Sequence, residues 1–292
     1  MNILWIGYGK MGEPMAARVA AAGHAVQVSD TSRERCDAAR ANDLEAVAIT
    51  PQSAGRADVI VTSLPNDAAA LQLLASADGA LSNVRAGALL IETSTISASA
   101  SASIAKAAQA RGIGYVRGPV SGSVAAAANG ALTTFLSGAH DAIEQARPIV
   151  GAYASNLVVV GDAEQARTMK LAINLMVTTL VESLCEAYTL CTKGGIEAGT
   201  ALEAIAASAI GSPHLRYKAD ALQRRDFTPT FTVAQMRKDL QLISQGAREL
   251  SVPMLPGAVV EQLMVATEAS GFGDEDYLAC VKVIAGLAGL AA

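Results

Sequence analysis

The fold is decided by the stretch NILWIGYGKMGEPMAARVAAAGH, residues 2–24. An aliphatic run typical of a β-strand leads into three glycines spaced GxGxxG, and an alanine-rich segment typical of a helix follows at once. In this context the glycines permit a tight turn, close approach of a pyrophosphate to the backbone, and close packing of helix on strand. The stretch therefore predicts a dinucleotide-binding loop. Its predicted cofactor contacts are Gly7, Gly9, Lys10, Met11 and Gly12.

The next strand-like run ends at Asp30, 18 residues beyond Gly12. An acid at roughly 20 residues from the glycine motif binds the ribose hydroxyls of NAD, and its charge repels the extra phosphate of NADP. Asp30 therefore predicts NAD as the preferred cofactor. Arg33 and Arg35 are near enough in sequence to compensate partly for a 2′-phosphate, and an ordinary turn acid is the alternative reading of Asp30.

Further along the chain, short aliphatic runs alternate with alanine-rich segments, and from about residue 164 the helical pattern alone continues. The strand-like runs lie at 2–7, 25–30, 59–64, 88–93, 114–119, 132–138 and 156–161. This order predicts an α/β Rossmann-type dinucleotide-binding domain at 1–162 and an all-α domain at 163–292. A long helix over about 163–193 would join the two domains, and later prolines would divide the remainder into four further helices.

Two loops follow strands of the predicted sheet, TSLPN at 62–66 and ETSTIS at 92–97. Ligands of such sheets bind at the carboxyl ends of the strands, so the predicted cofactor contacts in these loops are Leu64, Pro65 and Thr95. A third loop, PVSGS, carries Ser121, Gly122 and Ser123. Its hydroxyls and backbone amides predict a clamp for a carboxylate, although the segment alone is also typical of a plain turn.

The segment TMKLAINLMVT, residues 168–178, places Lys170 and Asn174 in an apolar run. The spacing of four residues puts both side chains on one face of a helix. Their place at the start of the predicted interdomain helix favours a catalytic pair, and a surface lysine over apolar neighbours is the alternative. Lys238 and Asp239 lie on a later helical pattern, which by itself is also typical of a solvated face.

Composition excludes several function classes. The chain has 292 residues, 51% of them hydrophobic, and a net charge of −5, which disfavours binding to nucleic acid. Its cysteines at 36, 185, 191 and 280 form no CxxC pair, so neither a metal site nor a disulfide framework is expected. The amino terminus has no leader pattern, and apolar windows such as 171–182 are shorter than a membrane span. A cytoplasmic protein without a membrane role is expected.

Four blocks of sequence resemble the β-hydroxyacid dehydrogenase family, which includes 3-hydroxyisobutyrate dehydrogenases and tartronate semialdehyde reductases. The blocks are GYGKMGEPMA, GPVSGSVAAAANGALT, KLAIN and KDLQL, and they occur in the family's order across essentially the whole chain. The resemblance implies hydride transfer between NAD(P) and a small 3-hydroxy acid, or the corresponding semialdehyde or ketone. It also implies a Rossmann-type domain, a helical domain, and a homodimer or homotetramer formed largely through the helical part.

The resemblance assigns roles to individual residues. Lys170 matches the catalytic acid/base, Asn174 an amide that holds the substrate, and Ser121 and Gly122 the substrate-carboxylate loop. Lys238 matches a lysine near both the nicotinamide and the substrate. Chemistry agrees, because oxidation of an alcohol requires removal of its proton and burial brings the pKa of an ammonium down toward neutrality.

Two residues depart from the family pattern at the substrate loop. Arg117 stands where the family usually has an acid, and Ser123 where it usually has a glycine. Arg117 either changes the support behind the loop or adds a cation that favours a more acidic substrate.

Other functions compete with the dehydrogenase. An imine reductase is disfavoured because such enzymes commonly replace the lysine that Lys170 retains. A 6-phosphogluconate dehydrogenase-like role is disfavoured by Ile173, where a histidine is expected, and by Asp30. A nucleotide-binding sensor or scaffold without catalysis is the alternative from another class. His214, in GSPHLRY, is a further candidate for lining the pocket.

Overall fold

The computed structural model describes residues 1–290 and divides into two compact units between Lys170 and Leu171. Both residues belong to one helix, so the chain passes from the N-terminal unit to the C-terminal unit without a loop. Each unit has a hydrophobic core of its own. The predicted domain limits follow the change from strand to helix after residue 162, whereas this division by contacts lies inside the following helix.

The N-terminal unit contains one twisted sheet. Its strands are β1 (Asn2–Ile6), β2 (Ala25–Ser29), β3 (Glu45–Ala46), β4 (Val59–Thr62), β5 (Leu89–Glu92), β6 (Gly114–Arg117), β7 (Val120–Ser121), β8 (Leu132–Gly138) and β9 (Ala154–Gly161). Six strands lie parallel in the order β3-β2-β1-β4-β5-β6. This is the Rossmann order, with its topological switch between β1 and β4. Strand β8 runs antiparallel to β6 and β7 and parallel to β9.

Helices cover both faces of this sheet. They are α1 (Gly12–Ala21), α2 (Arg33–Ala41), α3 (Pro51–Arg56), α4 (Asp67–Leu74), α5 (Ala98–Gln109), α6 (Val124–Ala128) and α7 (His140–Val150). Five of them begin at a serine, threonine or asparagine whose side chain accepts a hydrogen bond from the helix's first turn, which fixes where they start. Met15 and Ile143 belong to the core on one face, and Leu74 and Ile104 to the core on the other.

The C-terminal unit is helical. Its helices are most of α8 (Gln165–Lys193), then α9 (Ala198–Ala207), α10 (Pro213–Gln223), α11 (Val233–Glu249), α12 (Leu255–Thr267) and α13 (Cys280–Leu287). The predicted Rossmann-type unit, the helical unit and the long helix are thus confirmed. Five α-helices follow α8 in the described residues, whereas four were predicted, because a turn at Gly271 separates α12 from α13 without a proline.

Helix α8 also bears on the question of a membrane. Among residues 1–290 it is the helix that is long and apolar enough to be a candidate span, with a mean hydropathy of 1.2 over 18 residues. The sequence-based expectation rested on the shorter window 171–182. Part of this helix is buried, since Val181 and Leu184 of α8 lie in the C-terminal core.

Candidate active site

The glycine loop between β1 and α1 is built as the motif requires. Gly7 has a φ of +95°, and a Cβ there would lie 2.2 Å from the carbonyl oxygen of Ser63. At Gly12 a Cβ would lie 2.0 Å from the carbonyl oxygen of Gly7. Any side chain at either position would break the turn or push α1 off the sheet. A Cβ at Gly9, in contrast, would meet nothing within 4 Å, so the backbone there is open to a ligand.

The amino terminus of α1 fits a pyrophosphate. Its N-cap residue is Met11, which forms no side-chain hydrogen bond to the first turn and instead packs partly against the core. Lys10, the preceding residue, is exposed. Uncapped amides and the positive end of the helix dipole favour an anion at this position. The open backbone at Gly9 and the uncapped helix end therefore fit NAD or NADP.

Asp30 follows β2 and has a structural role of its own. One carboxylate oxygen, Oδ2, accepts a hydrogen bond of 2.7 Å from the backbone N–H of Tyr8, and Oδ1 accepts one of 2.8 Å from Ser32. Asp30 thus ties the glycine loop to the end of β2. Each oxygen can accept a second hydrogen bond, so this tether is compatible with the predicted contact to the ribose.

The loops after β4 and β5 are held together at the carboxyl edge of the sheet. The backbone N–H of Leu64 donates to Ser94 Oγ at 2.6 Å, and Thr93 Oγ1 donates to the carbonyl of Thr62 at 2.7 Å. Leu64 and Thr95 are half-buried, and Pro65 is exposed. The three predicted cofactor contacts in these loops therefore share one hydrogen-bonded support.

In the predicted substrate loop, Ser121 lies in β7 and is paired with Thr133 of β8. Gly122 has a φ of +140°, and a Cβ there would lie 2.6 Å from a methyl group of Leu132. Ser123 Oγ accepts a hydrogen bond of 3.2 Å from the N–H of Ala126, which caps α6. The serine that departs from the family pattern thus starts a helix, and its hydroxyl proton can still be donated to a substrate.

Arg117, the other departure, is buried at the end of β6. Its Nε donates to Glu164 Oε1 at 3.0 Å, its Nη2 forms an ion pair with the same carboxylate, and its guanidinium lies 4.5 Å above the centre of the Tyr115 ring. The charge of Arg117 is therefore matched inside the N-terminal unit. The pairing with Glu164 agrees with the first of the two readings that the sequence left open, in which Arg117 supports the predicted substrate loop.

Arg167, in the first turn of α8, was not among the residues that the sequence predicted for the site. Its guanidinium is 1% exposed and forms an ion pair with Glu92 at the end of β5. It also donates to the carbonyl of Ser94 at 2.7 Å, to the Tyr115 hydroxyl at 3.2 Å and to Ser101 Oγ at 3.3 Å. Arg167 thus binds the start of α8 to the loop that precedes Thr95.

The buried charges around Arg167 support one another. Burial alone lowers the pKa of the Arg167 guanidinium, but the Glu92 carboxylate, helped by Tyr115, outweighs burial and raises it. Burial likewise raises the pKa of the Tyr115 hydroxyl, so it stays protonated and donates or accepts hydrogen bonds as a neutral group. A signal for this cluster was present in the sequence, because the buried strand LLIE ends in a glutamate that requires a cation.

Lys170 is half-buried and lies three residues after Arg167 on α8, one helical turn before Asn174. In the C-terminal unit, Asn174 is buried and its amide Nδ2 donates to Asp239 Oδ2 at 2.6 Å. The other oxygen of Asp239 lies 2.9 Å from Lys238 Nζ. Asp239 therefore joins two predicted site residues, a role that sequence alone did not assign to it.

His214, the other pocket candidate, contacts the C-terminal core. Its Nε2 lies 2.9 Å from the hydroxyl of Tyr277, beside the buried ion pair of Lys218 and Asp276. Burial lowers the pKa of His214, and the positive charge of Lys218 lowers it further, against an opposing effect of Asp276. Its partners point to a packing role. Within residues 1–290, no group of three or more histidines, cysteines or acids is placed to hold a metal ion.

Comparison with known proteins gives matches over nearly the whole chain. Residues 2–161 match the family described as the NAD binding domain of 6-phosphogluconate dehydrogenase. Residues 165–284 match the family described as NAD-binding of NADP-dependent 3-hydroxyisobutyrate dehydrogenase. The first of these matches alone covers more than half of the chain.

Individual relatives agree with the two family matches. The chain is 31% identical to 2-(hydroxymethyl)glutarate dehydrogenase of Eubacterium barkeri, over 97% of this chain and 94% of that one. It is 29% identical to NAD-dependent L-serine dehydrogenase of Pseudomonas aeruginosa, over 97% of each. The solved 3-hydroxyisobutyrate dehydrogenase of Salmonella typhimurium superposes with a TM-score of 0.88 at 26% identity, over 97% of this chain and 99% of that one.

Imine reductases are more distant, with TM-scores of 0.61–0.66 at 16–18% identity, and they share the fold alone. The matches to both halves of the chain, together with a relative above 30% identity, identify the protein as an NAD(P)-dependent oxidoreductase. The chain belongs to the β-hydroxyacid dehydrogenase family.

Proposed function

We propose that the protein transfers a hydride between NAD and a small 3-hydroxy acid, or the corresponding semialdehyde or ketone, with Lys170 as the acid/base. The observation that carries this proposal is the arrangement on α8. Lys170 is half-buried, and one turn further on the amide of Asn174 is fixed by the buried carboxylate of Asp239.

The nicotinamide of the bound cofactor would accept or supply the hydride. The protein's own contribution is to move the proton and to stabilise charge on the reacting oxygen. In the oxidising direction Lys170 removes the hydroxyl proton, and in the reducing direction its ammonium returns a proton to the carbonyl oxygen. In this proposal Asn174 contributes its amide to substrate binding, and Lys238, whose Nζ lies 2.9 Å from Asp239 Oδ1, is the further residue expected to bind substrate or cofactor.

The substrate class follows from the loop after β6. Ser121, Gly122 and Ser123 offer hydroxyls and backbone amides in a tight turn, which suits a carboxylate. Arg117 is matched by Glu164, so this loop gains no additional cation from it. A 3-hydroxy acid with a single carboxylate is therefore favoured over a substrate that needs a second cation at this loop.

Cofactor choice is proposed as NAD over NADP. The support is Asp30, whose carboxylate is held at the end of β2 by two backbone amides and would face the adenosine ribose. A 2′-phosphate placed there would be repelled.

The assembly is proposed as a homodimer or homotetramer of a cytoplasmic protein that binds neither nucleic acid nor membrane. The net charge of −5 supports the first of these exclusions. The exposed apolar side chains of α8, Met176 and Leu190, support burial of this helix against another copy of the chain.

The test is a spectrophotometric screen at 340 nm with NAD, NADP and a panel of 3-hydroxy acids and their semialdehydes. With an accepted substrate, Lys170→Ala should lower kcat by about 10² to 10⁴-fold, the usual contribution of a general acid/base, with little change in NAD affinity. Lys193→Ala, at the exposed far end of the same helix, is the matched control and should keep wild-type turnover.

Two results would overturn the assignment. Equal loss of NAD binding and turnover in Lys170→Ala would place the lysine in the cofactor site instead. NAD binding without turnover of any acid, aldehyde or imine would favour a nucleotide-binding sensor.

A further inference from the structure

Both arginines that follow Asp30 are paired with carboxylates, but in different ways. Arg33 is almost fully exposed, and its Nε lies 3.9 Å from Asp37 one turn along α2. Arg35 reaches from α2 to α1, where its Nη1 lies 3.6 Å from Glu13 Oε2. About a third of each side chain in this second pair is exposed. The second pair therefore joins two separate elements of the nucleotide-binding unit.

Glu13 is itself anchored by a second contact. Its other oxygen, Oε1, accepts a hydrogen bond of 3.3 Å from Asn42 Nδ2. The same Asn42 nitrogen lies 3.1 Å from the hydroxyl of Tyr8, whose backbone N–H donates to Asp30. Glu13 and Asp30 thus belong to one network around the glycine loop. Isolated surface ion pairs contribute little, but a network with several fixed contacts holds its charges in place.

We propose that Glu13 is a second determinant of cofactor choice, an inference that rests on the NAD preference proposed above. Glu13 engages Arg35, the half-buried cation of the segment after β2, and withholds it from a 2′-phosphate. An arginine is the side chain best suited to such a phosphate, because its planar guanidinium donates two parallel hydrogen bonds.

Glu13 also adds charge to that of Asp30. A phosphate monoester carries about −1.5 to −2 charges at pH 7, so two nearby carboxylates repel it more than one does. NAD, which has ribose hydroxyls in place of this phosphate, is not subject to either effect. Selectivity for NAD over NADP would therefore depend on two carboxylates, Asp30 beside the ribose and Glu13 beside Arg35.

The test is Glu13→Gln, which removes the charge and keeps an oxygen that can accept from Asn42. Isothermal titration calorimetry with NAD and with NADP measures both Kd values without any substrate. NADP should bind about fivefold to tenfold more tightly than to the wild type, from release of one arginine to a phosphate, while the Kd for NAD stays within about threefold. Glu34→Gln on the exposed face of α2 is the matched charge control, and its selectivity should change by less than about twofold.

A double variant isolates the role of Arg35. In the Arg35→Ala background, Glu13→Gln should give a smaller gain in NADP affinity, because relief of charge repulsion remains but the released cation is absent. A gain as large as that in the wild-type background would show that only charge repulsion is at work and would contradict the proposed role of Arg35. An unchanged NADP Kd in Glu13→Gln with normal thermal unfolding would overturn the proposal altogether.

The wild-type protein tests the underlying premise separately. If it binds NADP as tightly as NAD, the preference for NAD fails. The ratio between Glu13→Gln and wild type still decides whether Glu13 limits NADP binding, so the two failures are distinct.

Discussion

The two units of the molecule each bury an ion pair, and the pairs are built in opposite ways. In the N-terminal unit the cation is the centre, since Arg167 contacts Glu92, Ser94, Ser101 and Tyr115 at once. In the C-terminal unit the carboxylate is the centre. Asp276 accepts from Lys218 Nζ at 2.6 Å and also from backbone and side-chain donors of Thr230 and from the N–H of Leu278.

The difference follows from the chemistry of the two cations. A guanidinium is planar with five donors, so Arg167 can satisfy carbonyls and hydroxyls on several elements. An ammonium is compact, and Lys218 combines its one carboxylate with the face of the Tyr277 ring, whose centre lies 4.2 Å away. The first pair therefore organises loops that carry candidate site residues. The second ion pair holds the segment before α13, which contains Asp276, against the helical core.

The largest expected effect is that of Arg167→Met. The variant leaves the fully buried Glu92 without its cation, which should lower the free energy of unfolding by about 3–5 kcal/mol. Turnover should fall as well, because Arg167 no longer donates to the Ser94 carbonyl next to Thr95, and this link between that loop and the start of α8 is lost. Urea unfolding and steady-state kinetics below the unfolding transition measure the two effects.

A double variant separates charge from packing at this position. Glu92→Leu combined with Arg167→Met removes both buried charges and should recover most of the lost stability, while turnover stays low. If the double variant recovers both the free energy of unfolding and turnover, Arg167 contributes to stability alone.

Lys218→Met should show the contrasting pattern. Asp276 loses its buried partner, so the free energy of unfolding should again fall by about 3–5 kcal/mol. The kcat of the remaining folded protein should stay within about threefold of wild type. Lys218 is not a proposed site residue, and the side chains that it contacts are not proposed site residues either. A loss of kcat as large as that in Arg167→Met would remove the functional distinction between the two pairs.

The smallest effect concerns pH and His214, which lies beside the second pair. Burial first, and then the charge of Lys218, lower the pKa of His214 below its usual 6.5. The unfolded chain therefore binds this proton more readily than the folded one, and stability from this group is lost as pH falls through 6.5. His214→Gln should make the free energy of unfolding less dependent on pH between 7.5 and 5.5.

The measurement is urea unfolding at several pH values. His140→Gln, at the exposed start of α7, is the matched control. If the free energy of unfolding of His214→Gln depends on pH as strongly as that of wild type, His214 does not cause the loss of stability at acid pH.

The sequence predicted the sheet well because its signals are local. The glycine spacing and the aliphatic runs located β1, β2, β4, β5, β6, β8 and β9, each within two residues at either end. The short strands β3 and β7, of two residues each, leave too few side chains for a pattern. Helix α13 was missed because the turn at Gly271 replaces the expected proline.

The contacts of the candidate site were harder to predict, because they join segments far apart in sequence. Lys170, Asn174 and Lys238 could be chosen from short motifs, but the pairing of Asn174 with Asp239 spans 65 residues. Likewise, Glu92 and Arg167 are separated by 75 residues. A buried charge can be recognised from one strand, whereas the identity of its partner depends on which helix is packed against it.

Asp30 has a consequence for the redesign of this protein as a biocatalyst. The usual way to change cofactor choice is to replace the acid at the end of β2, but here that acid also accepts the N–H groups of Tyr8 and Ser32. Alanine at position 30 would loosen the glycine loop, and both cofactors would then bind less well. An engineer would do better to start at Glu13 and keep an acceptor at position 30, with asparagine as the smallest change that removes the charge.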